Sequence, residues 1–397
     1  MKRLILIFLS FFLLTGCSLQ KSNKKELTFW TLQMSDFAPY INEIIQNYET
    51  SHPNIKITWI DVPFSEGEKR TLAAMMTDCP PDLINLNPDF TVLLAQKGTL
   101  WEIEDNSLKS YQQDIVNSLK YKDKNYSIPW YATSAITIYN KDLLSKAGVK
   151  IPKTYADLAT ISKEIKNKTG AYSYLPTITE NDTMVKILNK YGVSEISEYN
   201  SEKSIEVFEM FKKLYQENLI PQESITMTHR EALEQYMAGK VVFYQGGANF
   251  LNMIKENAPK IYAQTDVAEQ IKGPLGQNDI SVMNFVIPIR AKNKTEALDF
   301  CLYLTNEKNQ LKLAKMTNII ATNANALENS FYNDYSDLIS KARSISAKQV
   351  SKIHPQIRQK SNQKEINTQI NTAVQTILLN KDSSKNVLTK LVKNLTE

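Results

Sequence analysis

Four tryptophans stand in this chain, and two of them sit where a flat ring could cover the apolar face of a bound molecule. Trp30 ends the β-rich run LTFWT and is followed by Gln33 and Asp36 in a polar loop. Trp130 and Tyr131 come directly after Pro129 and belong to no periodic apolar stripe, whereas Trp59 and Trp101 read as structural. Amides and carboxylates surround these rings. Asn87 and Asp89 flank Pro88 at the end of DLINLN; Gln245, Gly246, Gly247 and Asn249 form a glycine turn that opens a helix; Met283 and Asn284 close a strand-like run. Rings, amides and carboxylates together suit a molecule with one apolar C–H face and a rim of hydroxyls. The free N–H groups of a helix start could add to the polar contacts. Each residue also has a plainer use, as core ring, helix cap or turn. Glu180, Asn181 and Asp182 could reach a cleft but read rather as a solvated loop.

Reactive constellations are missing. The chain contains no G-x-S-x-G, no H-E-x-x-H and no phosphate-binding glycine loop, and His52, His229 and His354 lie far apart. A glycoside hydrolase would need only two suitably spaced carboxylates, and 42 acidic residues are present, but no feature marks a pair. The residues therefore speak for binding without catalysis, cofactor or metal.

The elements that must hold these side chains alternate. Residues 27–31 and 55–59 have strand character, residues 39–49 and 68–77 have helical spacing, and Pro80-Pro81 precedes the strand 82–87. A helix over 90–97 closes at Gly98. Farther on, residues 135–139 (AITIY), 241–245 and 281–287 read as strands, separated by helices. Thr154 with Asp157 makes a weak capping box for one of these helices. Strands alternating with helices predict an α/β fold with a parallel or mixed sheet. Two units of similar size follow one another, and residues 120–131 between them are not a Gly/Ser linker, so the units pack together around a cleft, the usual place for a ligand.

At the start, Lys2 and Arg3 precede the apolar run 4–14, which is too short to span a bilayer comfortably, and Leu14-Thr15-Gly16-Cys17 follows at once. Residues 1–16 read as a signal peptide and 17–25 as a polar tether. Net charge is +5, and loss of Lys2 and Arg3 leaves 45 basic against 42 acidic residues. Scattered, mild charge gives no footprint for nucleic acid. Cys79 and Cys301 could pair in an oxidising compartment but read rather as two free thiols, Cys301 within an apolar helical stripe.

Several stretches together resemble the extracellular sugar-binding proteins of ABC importers, the group that includes maltose-, multiple-sugar- and glycerol-phosphate-binding proteins. They are LTFWT, PNIKITWIDVP, CPPDLINLN, QKGTLWEIED, NYSIPW, IYNKDLLSKAGVKIPKTYADL, YMAGKVVFYQGGANF and AKNKTEALDFCLYLTNEKNQLKLA, in that order, over roughly residues 27–327. LTGC resembles a lipoprotein lipobox, which makes Cys17 the acylated residue of an exported protein anchored at the cell membrane, facing the periplasm or exterior. The resemblance implies a periplasmic-binding-protein-like fold of two lobes: 26–126 plus 288–323, and 127–287 plus 324–397. Crossings would fall near Ser127-Ile128, between 285 and 288, and between 321 and 325. It further implies a monomer that captures a carbohydrate between its lobes, with permease transmembrane subunits as partners. A glycerol-phosphate or other small anion is the alternative ligand, and a glycoside hydrolase the alternative class. Members often carry a tryptophan after the two glycines; here Ala248, Asn249 and Phe250 stand there.

Overall fold

The computed structural model describes residues 24–317, 319–350 and 363–397; the leader and Cys17 lie outside them. Nine strands are formed among the described residues: β1 (Lys25–Leu32), β2 (Ile55–Val62), β3 (Leu83–Leu86), β4 (Ile128–Asn140), β5 (Tyr172–Tyr174), β6 (Val241–Gly247), β7 (Thr265–Glu269), β8 (Ile280–Val286) and β9 (Ile320–Ala321). They follow the order β2-β1-β3-β8-β4-β6-β5, with β7 and β9 also on β4. β1 pairs in parallel with β2 and β3, while β8 runs antiparallel between β3 and β4.

The chemistry of each strand matches its place. All four residues of β3 (LINL) are buried, as a strand covered on both faces requires. β2 lies at the edge, and its first residues alternate buried and exposed. Phe29 meets Phe300 edge-on at 5.3 Å and Phe285 at 5.7 Å, so strands and the helix Lys294–Leu304 share one core. Burying each such ring contributes about 1.5–3 kcal/mol.

β4 joins the two halves of the molecule. From Ile128 to Ser134 it pairs with β8; from Ala135 onward it pairs with β6, and from Ile136 with β7 as well. The change of partner therefore falls at Ser134-Ala135, and β8 begins at Ile280 opposite Ser134. This corrects the crossings expected at Ser127-Ile128 and over 285–288. A break there would sever the ladder that ties β4 to β8 and β8 to β3. Similarly, β9 pairs with Tyr131 and Ala132, and Asn323 bridges to Tyr111, so the region of the third expected crossing stays with the first lobe. The first lobe thus takes in the front half of β4 and all of β8.

In the second lobe, the helix Tyr155–Thr169 starts at a full capping box: Thr154 accepts from the Asp157 N–H at 3.1 Å, and Asp157 accepts from the Thr154 N–H at 3.0 Å. The C-terminal helices Gln363–Leu378 and Ser384–Thr396 add Ile370, Val374 and Leu388 to the core around Phe208 and Phe211. Cys79 is exposed and Cys301 buried, and both are free thiols. Among the described residues no helix is long and apolar enough to cross a membrane.

Candidate ligand-binding site

The carboxyl ends of β1 and β3 meet the partner change in β4, which is where open α/β sheets place ligands. Trp30 pairs with Ile84, Leu86 with Asn284, and Met283 with Tyr131. Counting outward from those pairs puts Gln33, Asn87, Met283 and Tyr131 at one level across the edge of the first lobe. Gln33 is held there in a left-handed turn (φ 53°), its N–H donating to the Val62 carbonyl at 2.9 Å. Asp61 organises the same loop, accepting from Thr31 Oγ1 at 2.6 Å and from the N–H groups of Met34 and Ser35. Asp36 is exposed in the short turn Ser35–Phe37 and caps no helix. Asn87 caps the helix Pro88–Gln96, accepting from the Phe90 N–H at 2.8 Å, and Asp89 follows in its first turn.

The second lobe presents the ends of β6 and β7, since Ala135 pairs with Gly247 and Ile136 with Glu269. Gly246 and Gly247 are not the expected turn. They continue β6 with ordinary φ, and a Cβ on Gly246 would lie 2.4 Å from the Tyr244 ring. Close approach, not handedness, requires glycine there. Asn249 is exposed at the start of the helix Phe250–Asn257 and makes no side-chain cap.

Residues the sequence left as a solvated loop complete this wall. Glu180 accepts from the His229 N–H at 2.5 Å, at the start of the helix His229–Met237, and its Oε2 lies 3.2 Å from His229 Nδ1. Thr177 Oγ1 lies 2.5 Å from the same nitrogen. Asp182 pairs with Lys186 at 3.1 Å at the start of the helix Thr183–Lys190. Carboxylates at helix starts are favoured by the positive end of the helix dipole.

Electrostatics tie the two lobes. Asp89 is open to water, yet its carboxyl is raised to about 7, first by desolvation and then by Asp182, with Lys186 opposing and Glu68 adding. Asp182 and Lys186 belong to the other lobe, so Asp89 faces across the gap. Among the described residues its carboxylate makes no hydrogen bond or ion pair. His229 is held below its ordinary value, again mainly by desolvation, which outweighs Glu180. Tyr131, half-buried, is pushed up to about 12 by desolvation.

Three expected contacts are better explained by the framework. Trp130 is completely buried and lies 4.6 Å from the Phe285 ring, so neither face is free for stacking. Asn284 is buried, its Nδ2 donating to Thr91 Oγ1 at 2.9 Å. Gln245 donates to Thr137 Oγ1 at 2.7 Å and accepts from the Ile271 N–H at 3.2 Å, which occupies both ends of its amide. Trp30 is half-buried, packed on the cluster of Met75, Ile84 and Phe90. Tyr131 and Met283 remain half-exposed side by side. A shallow depression of about 350 Å³, lined by Ile45, Glu49, Lys56 and Trp59, is on the surface of β2 and the helix Ala38–Ser51. The Glu49–Lys56 ion pair at 3.0 Å fills its rim, and none of the charged residues above lines it. Among the described residues no cluster of three His, Cys, Asp or Glu could hold a metal.

Two lobes joined by a shared strand, with polar groups converging from both, describe a binding protein. The profile of the bacterial extracellular solute-binding protein family matches residues 43–339, and the chain belongs to that family. It is 23% identical over 320 residues to the diacetylchitobiose binding protein DasA of Streptomyces coelicolor, covering 74% of this chain and 72% of that one. Identity to the multiple sugar-binding protein of Streptococcus mutans is also 23%, over 75% of this chain and 76% of that one. A periplasmic-binding protein from Synechococcus sp. MITs9220 matches with a TM-score of 0.84 at 26% identity, over 93% of this chain and 97% of the other.

Proposed function

We propose that this chain captures a carbohydrate between its lobes and delivers it to the permease of an ABC importer. Support comes from Asp89, whose carboxyl feels Asp182 and Lys186 of the opposite lobe, with Gln33, Asn87 and Tyr131 along the same edge and Glu180 and His229 beside Asp182. These are mostly hydrogen-bond acceptors and amides, fit for a rim of hydroxyls. Relatives that bind diacetylchitobiose and multiple sugars support the same ligand class.

Charge weighs against a phosphorylated polyol. Arg70 pairs with Glu66, Arg230 is 4.0 Å from Glu234 on its own helix, and Arg343 lies on the Phe331 ring. Lys186 is already paired with Asp182, so a phosphate would meet Glu68 and Asp182 as like charges, joined by Asp89 once it ionises above about pH 7. The protein acts as a monomeric binder and not a hydrolase, returning its sugar intact. Cys17 carries the lipid that holds it at the membrane; with Cys17→Ala, precursor stays unprocessed or protein is released from the membrane fraction.

A thermal-shift and calorimetric screen of neutral mono- and oligosaccharides against glycerol 3-phosphate tests the reading. A ligand at a hundred times its Kd stabilises by about 2.7 kcal/mol. Stabilisation by a neutral sugar is expected. Stabilisation by the phosphate alone, or release of hydrolysed sugar, would overturn it.

A further inference from the structure

The backbone where the lobes join is gripped by two buried glutamines. Gln349, on the helix Leu338–Val350, donates through Nε2 to Ser134 Oγ at 2.9 Å and to the Ala135 carbonyl at 2.8 Å. Its Oε1 accepts from the Gln270 N–H at 2.9 Å. Gln270 in turn accepts from the Asp279 N–H at 2.7 Å and donates towards the Asp279 carbonyl at 3.3 Å. The residues gripped are the last of β4 on the first-lobe side, the first on the second-lobe side, and the residue just before β8. Both strands that pass between the lobes are therefore held by one pair of side chains. Gln270 and Gln349 are 1% and 2% exposed, so water cannot take over these bonds. Lys190, equally buried, adds an ion pair to Asp279 at 2.6 Å.

Chemistry explains the choice of residue. Where β4 changes partners, carbonyl and N–H groups fall outside regular ladders and must find side-chain partners. A primary amide supplies two donors and an acceptor in one plane, enough to hold both crossings at once. We infer that Gln270 and Gln349 form a clamp that fixes both crossings to the helix Leu338–Val350, which packs on both lobes, and thereby sets how freely the lobes turn. Lobe rotation needs dihedral change at a few element-terminal residues. The clamp immobilises Ser134, Ala135 and Asp279, so rotation at this point works against its hydrogen bonds. Gln270 and Gln349 are positioning residues and need touch no ligand, so the inference holds whatever the ligand proves to be.

Hydrogen exchange on the full chain without ligand tests this. In Gln349→Ala the amides of residues 134–136 and 279–281 should exchange at least tenfold faster, while β1 and β2 keep wild-type rates. Asp279 is the informative amide, because Gln349 reaches it only through Gln270. Spin labels on Cys79 and on a Lys240→Cys variant should show a broader interlobe distance distribution in Gln349→Ala. Gln349→Glu, which accepts but cannot donate, should behave like Gln349→Ala. Ser134→Ala removes a single partner and should give the same changes at smaller size, which decides the matter if Gln349→Ala fails to fold. Exchange within twofold of wild type at both crossings, with an unchanged distance distribution, would overturn the clamp.

Discussion

The rings of Trp130 and Tyr131 stand 5.1 Å apart at 62°, and both pack against the first lobe's core although they are adjacent in a strand. Neighbours in a regular strand point to opposite faces. Here the register shifts between Pro129 and Tyr131, and the bulge inserts Trp130 as an extra residue. Trp130 fills the core, and Tyr131 is left half-exposed beside Met283. The ring suited to a ligand is one residue farther along than Pro129-Trp130 would suggest.

Trp130→Ala should therefore act on folding. Removing a fully buried tryptophan costs about 3–5 kcal/mol of stability. Tyr131→Ala should cost less stability but weaken sugar binding by about 1–3 kcal/mol, as loss of an aromatic contact does. Denaturant melts and calorimetric titration of both variants separate the two. A Trp130→Ala protein with wild-type stability and lost affinity would reverse the assignment.

Much of the fold was readable because local chemistry agreed with the final architecture. DLINLN gave a buried strand, Thr154 and Asp157 a cap, and Pro80-Pro81 a break. The crossings were displaced because β4 is one unbroken strand of 13 residues whose partners change midway, and pairing is a property of three-dimensional neighbours. The bulge at Trp130 has no composition of its own. Glu180, Asp182 and His229 come together from a loop and two helix starts separated by about fifty residues, so no spacing along the chain joined His229 to the other two. A capping box of Thr228 and Glu231 sets His229 at its helix start.

Asp89 should make stability depend on pH. Its folded pKa, about 7, lies above the ordinary carboxylate value, so the folded protein holds a proton that the unfolded chain has released between roughly pH 4 and 7. The favourable contribution is complete below the unfolded pKa and is lost as pH rises through about 7. Asp89→Asn should thus gain on wild type as pH rises across that window. Because the side chain is open to water, screening reduces the gain to on the order of 1 kcal/mol. Melting curves at pH 4.5 and 8 measure it; a constant difference between the two proteins would show that the Asp89 carboxyl is not raised.

Lys190 and Asp279 should behave as a coupled pair. Lys190 is buried, and its ammonium also lies over the Tyr155 ring at 5.4 Å. Asp279→Asn leaves that charge without its partner, which should cost about 3 kcal/mol. Lys190→Met removes the desolvated charge and should cost less. The double variant should be more stable than the sum of single losses predicts, as groups in contact are not additive. Additive losses in urea denaturation would mean the two do not interact.

Closure is the last expectation, and it follows from polar groups standing on both sides of the gap. A ligand that touches Asn87 and Asp89 on one lobe and Asn249 and Glu180 on the other makes more contacts when the lobes approach. It must then move the population towards the compact form, by no more than its differential affinity for the two states. Moving a 1:99 mixture to 99:1 would take a preference of about 5.5 kcal/mol, within reach of several new hydrogen bonds and one stacked ring. The like charges of Asp89 and Asp182 oppose approach, so ligand hydroxyls donating to both would relieve repulsion as well as add contacts. Solution scattering should give a smaller radius of gyration with saturating sugar than without. Asp89→Asn should narrow that difference by making the unliganded protein more compact. A radius unmoved by a sugar that calorimetry shows to be bound would place the ligand within one lobe and rule out capture between the two.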